Sequence, residues 1–155
     1  MSGTPRPLPG PDPDTAPYWE ACRSHELRVQ RCGACEAFRF YPGPVCPACA
    51  SSESRWECVT GRGEVYSYVV VHRAMHPAFA GDVPYAVALV ELEGTGGIRL
   101  PSRLVDCPPE EVRIGMAVEV CFENASDAVT LPVFRPAEVE QRDRPSEPRG
   151  GESDV

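Results

Sequence analysis

The sequence predicts a mainly β chain in three parts: a short N-terminal helix, a small metal-stapled ribbon and a five-stranded barrel. Three observations carry this. Two knuckles, Cys32-Gly-Ala-Cys35 and Cys46-Pro-Ala-Cys49, stand ten residues apart. Five stretches rich in alternating apolar residues follow between Glu64 and Phe134, separated by turn residues. Prolines crowd both ends, where apolar side chains are too few to offset the entropy of ordering.

Residues 1–13 are expected to form a disordered tail and residues 14–28 the helix. Asp14 and Thr15 are candidate caps, and Pro17 sits in the first turn, where a missing N–H costs little. Tyr18, Cys22, His25 and Val29 recur at helical spacing and would share one face. A helix this short is marginal alone and must dock, either on its own domain or on a partner.

Residues 29–60 read as the ribbon. Leu27 to Arg31 alternates and enters the first knuckle; Phe38-Arg39-Phe40-Tyr41-Pro42 alternates between the knuckles; Arg55 to Val59 leads out. The spacing of Cys32, Cys35, Cys46 and Cys49 brings four thiolates to the corners of a tetrahedron, as a closed structural zinc site requires. Iron fits the same geometry, but zinc is favoured. A filled tetrahedron leaves no position for substrate.

Residues 61–136 read as the barrel, entered through Gly61 and Gly63. The first strand, Glu64 to His72, would place Val65, Val69 and Val71 on one face and Tyr66, Tyr68 and Val70 on the other. Tyr85 to Glu93 and Ile98 to Val105 follow around the Gly94-Thr95-Gly96-Gly97 turn. One helical turn at Pro108 to Val112 precedes Met116 to Glu123 and Ala128 to Phe134. Five strands with a helical turn between the third and fourth match the OB-fold; a sandwich would want about seven. Residues 137–155 are expected to be a disordered acidic tail.

The formal charge is −8, and every one of the fifteen basic residues is arginine. That balance argues against a binder of phosphate backbones, whose footprint is basic. Met1 to Pro7 lacks the apolar run of a secretory signal, and no stretch approaches the ~20 apolar residues of a membrane helix. C-x-x-C pairs in a chain read as unexported favour metal over disulfides. A cytoplasmic location is the expectation.

A resemblance to a known family goes further. Tyr18-Trp19, the CGAC and CPAC knuckles, the exit Trp56 to Gly63, Pro84 to Leu92, Val112 to Val118 and Leu131 to Pro136 stand in the order of the acyl-CoA-associated family that joins a rubredoxin-like zinc ribbon to an OB-fold. The resemblance covers roughly residues 17–137, and Arg99 to Asp106 looks closest to accessory subunits of lipid-transfer-protein-like aldolases. It implies a non-catalytic subunit bound to a thiolase-superfamily enzyme. The reaction would be retro-aldol cleavage of steroid or lipid side-chain CoA thioesters, or acyl transfer, in a two-plus-two complex; an acyl-CoA hydratase is a further partner.

Against that frame Arg99 and Arg103, on one side of a strand, are candidate contacts to CoA phosphates, with a solvated barrel exterior as the plainer alternative. Trp19, Phe38, Phe40 and Phe79 are candidate partner anchors, because large rings dominate interface energetics. The Phe79 loop is the candidate for ordering on binding. Trp56 is expected between ribbon and barrel. Cys22, Cys58, Cys107 and Cys121 lack ligand spacing, and His72 with His76 would span ~13 Å of strand, too far to share an ion. Two other functions stay open: single-stranded nucleic-acid binding, which both modules serve elsewhere, and electron transfer by ribbon-bound iron.

Overall fold

The computed structural model describes residues 4–138, so the expectations for residues 1–3 and 139–155 lie outside the described residues. The first helix, α1, spans Ala16–Arg23. It ends well short of residue 28 because His25 takes a left-handed conformation, φ 58°. The Glu26 N–H then donates to the Ala21 carbonyl at 2.9 Å and the His25 N–H to that of Cys22 at 3.0 Å, which closes the last turn. Val29 therefore belongs to a strand and not to the helical face. At the other end Thr15 is the N-cap, but its hydroxyl donates to Asp12 (2.9 Å) and not into the helix. The Asp12 carboxylate also accepts the backbone N–H of Thr15 at 2.8 Å and of Asp14 at 3.0 Å.

The ribbon is a three-stranded antiparallel sheet in the order β2-β1-β3, from β1 (Arg28–Cys32), β2 (Phe38–Arg39) and β3 (Ser54–Cys58). The exit segment thus pairs along the whole of β1, Arg28 opposite Cys58 and Cys32 opposite Ser54. In β2 the alternation is inverted from its apolar reading: Arg39 is buried, while Phe38 and Phe40 are half-buried.

The barrel comprises β4 (Arg62–Val71), β5 (Tyr85–Leu92), β6 (Arg99–Arg103), β7 (Ala117–Asn124) and β8 (Thr130–Pro136), in the order β6-β5-β4-β7-β8. A parallel bridge from Leu104 to Phe134 brings the two edges together, with the Val105 N–H donating to the Phe134 carbonyl at 2.8 Å. The result is a nearly closed five-stranded OB barrel with a 3₁₀ turn, Pro109–Glu111, between β6 and β7. Strand β4 carries a bulge: Val65 pairs with Val90 but Ser67 with Leu89, so Tyr66 is the extra residue. A bulge reverses which side chains face inward. Val65 points to the core, Tyr68 and Val70 follow it on the inner face beyond the bulge, and Val69 is exposed. This corrects the two-face division expected from strict alternation.

One apolar core serves all three parts. Tyr18 and Cys22 from α1, Leu27 and Val29 from the ribbon, and Val65, Val90, Leu100, Val118 and Phe134 from the barrel form a single buried cluster. Helix α1 docks in cis, against β8 and β1. Trp19, Phe38, Phe40 and Trp56 pack on the same core.

Candidate metal centre and barrel surface

The two knuckles are built alike. The N–H of Cys32 donates to the Ala37 carbonyl (2.9 Å) and that of Cys46 to the Ser51 carbonyl (2.8 Å), five residues on in each case. The residue after each second cysteine is left-handed: Glu36 at φ 64° and Ala50 at φ 61°. These turns aim backbone N–H groups at the first sulfur of each pair, so Ala34 and Cys35 donate to Cys32 Sγ at 3.4 and 3.5 Å. Cys32 and Cys46 are buried; Cys35 and Cys49 face solvent.

All four sulfurs lie within 4.8 Å of one another, with Cys32 to Cys49 at 3.6 Å and Cys35 to Cys46 at 3.7 Å. A tetrahedron with metal–sulfur bonds of ~2.3 Å has edges of ~3.8 Å, so the cage fits a four-coordinate ion such as zinc. Its electrostatics also ask for a cation. Backbone N–H groups of Ala48 and Cys49 hold Cys46 down to about 6, and those of Cys35 and Ala34 lower Cys32. Cys49, although the Ser51 N–H draws it down, is pushed up to about 12 by the crowding sulfurs of Cys35 and Cys32. Like charges this close do not ionise together unless a positive charge joins them. The ion would supply cross-linking and no open coordination position. Among the described residues no other cluster of cysteine, histidine and carboxylate side chains has metal-binding geometry.

Around this cage Arg31 and Arg55 bind Glu36 and Glu57 on the ribbon surface. Within the ribbon, buried Arg39 donates through Nε to Gln30 Oε1 at 2.6 Å and through Nη2 to the Gly43 carbonyl at 2.7 Å. Its Nη1 is buried without a partner.

The remaining candidates are dispersed. Arg99 pairs with Glu91 at 2.9 Å and lies 3.5 Å from the Tyr66 ring centroid. Arg103 pairs with Asp82 at 2.9 Å and lies over Tyr85. Both arginines expected to meet CoA phosphates are thus engaged with carboxylates of the barrel. Of the expected anchors, Trp19, Phe38 and Phe40 are half-buried on the core, whereas Phe79 sits in the β4–β5 loop near Tyr85. Among the described residues the large apolar side chains most open to solvent are others: Met75, Ile114, Tyr41 and Val69. His76 Nδ1 accepts the Ala78 N–H and caps the Pro77–Phe79 turn. Cys22 is fully buried and burial pushes its thiol up to about 11; Cys107 and Cys121 are raised by the same cause. Sequence reasoning missed Asp82, Arg39 and Gln30, because a lone charged or amide residue in a polar stretch carries no periodic signal.

A tetrathiolate ribbon joined through one core to an OB barrel defines a zinc-ribbon/OB-fold protein. Residues 19–55 match the ChsH2 rubredoxin-like zinc ribbon domain and residues 56–123 the ChsH2 C-terminal OB-fold domain. The chain belongs to this ChsH2 family. It is 47% identical over 134 residues to a probable enoyl-CoA hydratase alpha subunit of Thermomonospora curvata, covering 85% of this chain and 40% of that one. It is 39% identical over 98 residues to a DUF35 domain-containing scaffold protein of Methanocaldococcus jannaschii, covering 63% of this chain and 67% of that one. Among solved structures it matches a chain of the Ltp2-ChsH2(DUF35) aldolase with a TM-score of 0.75 and 45% identity, covering 83% of this chain and 98% of that chain. The chain therefore spans about 40% of the length of the hydratase relative and two thirds of the scaffold relative. No helix among the described residues is long and apolar enough to cross a membrane.

Proposed function

We propose that this chain is a non-catalytic accessory subunit that binds and supports a thiolase-superfamily acyl-CoA enzyme, in a two-plus-two complex. The favoured partner is a retro-aldolase of steroid or lipid side-chain CoA thioesters. The observation that carries this is the likeness to a chain of the Ltp2-ChsH2(DUF35) aldolase over 98% of that chain's length. The metal cage agrees with it: its four ligands leave no open position for chemistry. Zinc is the proposed ion, and its role is to fold the ribbon. Metal analysis is expected to give one zinc per chain and a colourless protein; bound iron would absorb in the visible.

A hydratase partner is the second reading, favoured by the 47% identity to a hydratase alpha subunit. In either complex, Phe79 and the open parts of Trp19, Phe38 and Phe40 are the proposed anchors. A phosphate contact at Arg99 or Arg103 would use guanidinium N–H groups that Glu91 and Asp82 leave free, since each carboxylate takes one nitrogen. The test is co-expression with candidate aldolase and hydratase partners, followed by affinity isolation, native mass measurement and assays of aldol cleavage and hydration. Association with an aldolase at equal stoichiometry supports the proposal. A chain that remains alone, or is active alone, overturns it.

A further inference from the structure

The N-terminal segment does not leave the barrel free. Arg6 donates through Nη2 to both carboxylate oxygens of Asp82, at 2.9 and 2.7 Å, and its guanidinium lies 5.4 Å from the Phe79 ring centroid. Asp82 is only 19% exposed and is also held at Oδ2 by Arg103, whose Nε is buried without a partner. Beside this clamp Pro7 and Leu8 roof a cleft of about 420 Å³, floored by Phe79, Tyr85, Leu131 and Val133. The cleft lies at the end of the barrel where the β4–β5 loop approaches the start of β8.

We propose that this barrel end is a docking site for an extended segment of arginine, proline and an apolar residue, covered in cis by Arg6-Pro7-Leu8, and that the docked strap holds the β4–β5 loop in place. The chemistry is matched at each position. An acid positioned by a second arginine presents its oxygens to one guanidinium, a charge-assisted contact. An aromatic face lies below the same guanidinium. Proline restricts the free segment, so less conformational freedom is lost on docking. The anchorage of Asp12 and Thr15 at the helix start keeps the strap near its site, at an effective concentration of order millimolar. A weak intrinsic affinity then suffices in cis, and the contact stays reversible: Arg6 keeps 44% of its side chain in solvent. A segment of the same chemistry on another chain would compete for the same contacts to Asp82 and Phe79.

The loop reports directly on the strap. The N–H groups of Phe79, Ala80 and Asp82 donate to His76, Pro77 and Phe79 carbonyls within the turn that Arg6 pins. Hydrogen exchange of these amides in the full metal-bound chain is the measurement, comparing wild type with Arg6→Ala. The expected result is exchange at least tenfold faster in the variant, with β5 amides unchanged as the internal control of folding. A synthetic peptide of residues 4–10 added to Arg6→Ala is expected to bind saturably and restore protection, and to do neither on Arg6→Ala/Asp82→Asn. Equal exchange in wild type and variant, or a peptide that fails to bind, overturns the proposal. Neither readout involves a partner enzyme, so failure here is separate from failure of the accessory-subunit reading.

Discussion

Gly63 faces the Glu91 carbonyl so closely that a Cβ added to it would stand 2.3 Å from the oxygen. Gly63 lies in β4 between two neighbours, paired with Leu92 of β5 and Val118 of β7. Neither strand can retreat without losing its ladder. Gly63→Ala is expected to destabilise the barrel by about 1–3 kcal/mol, as overpacking does. Gly81→Ala, with nothing within 4 Å and no positive φ, should be close to neutral. Denaturant midpoints of the two variants check this, and equal values would show that β4 has room to shift.

The ring of His25 stacks on Phe122, centroids 5.2 Å apart and planes 2° from parallel. One residue thus ends α1 through its left-handed backbone and ties that end to β7. Replacing it separates the two roles. His25→Ala keeps the backbone strain and loses the stack, for an expected cost of about 1 kcal/mol. His25→Gly loses the stack but relieves a left-handed penalty of about 1 kcal/mol, so its stability should stay near wild type. Thermal melting that ranks glycine below alanine would refute this division.

Arg39 cannot be neutralised by losing its proton, so its buried charge depends on the dipoles around it. Gln30 is the centre of that shell: its carbonyl oxygen accepts from Arg39 and from the Gly43 N–H at 3.0 Å, and its amide donates to Ser54. Gln30→Ala strips these contacts and is expected to cost about 2–3 kcal/mol. Arg39→Met removes the charge while keeping an apolar stem, and should cost less than Gln30→Ala. Comparing denaturation of the two variants with metal bound tests whether the charge or the packing governs the ribbon core.

The parts legible in the sequence were those whose physics repeats along the chain. C-x-x-C spacing gave the cage because four ligands must converge on one point, and β5 could be read directly because Ala86, Ala88, Val90 and Leu92 alternate inward without interruption. The unread parts turn on single residues. One bulge at Tyr66 inverted the faces of β4, one positive φ at His25 ended the helix early, and a buried Arg39 broke the apolar-inward rule in β2. Arg6 finds Asp82 across 76 residues, a pairing no local pattern encodes. The candidate site followed the same division: the metal ligands were legible, whereas the carboxylates that engage Arg99 and Arg103 were not.

Acid should weaken the start of α1 through Asp12. Hydrogen bonds from the Thr15 hydroxyl and the Thr15 N–H hold its carboxyl below the ordinary aspartate value of 3.8. A folded pKa below the unfolded one stabilises the fold above the unfolded pKa, and the benefit is lost as pH falls through the lower folded value. Asp12→Asn should therefore melt below wild type at pH 7, and the gap should close below pH 3.8. A gap that persists in acid would mean that the side-chain shape at residue 12, and not its charge, stabilises the turn.

Metal removal should reach beyond the ribbon. Cys49→Ser leaves three thiolates in a cage whose sulfur spacing suits four, and metal content is expected to fall from one ion per chain to a small fraction. For ribbon-like modules metal binding is itself much of the folding free energy. Because Leu27 and Val29 of the ribbon lie in the same cluster as Val65 and Phe134 of the barrel, loosening the ribbon uncovers part of the barrel core. Amides of β1 and β3 should lose exchange protection first, and the whole chain should melt at lower temperature. Cys58→Ser, an exposed cysteine outside the cage, is the control and should keep full metal content. An unshifted barrel transition in metal-free protein would show that ribbon and barrel fold independently in spite of their shared core. Affinity isolation of the same variant then tests the ribbon's part in assembly: loss of the partner enzyme with the metal is the expected result.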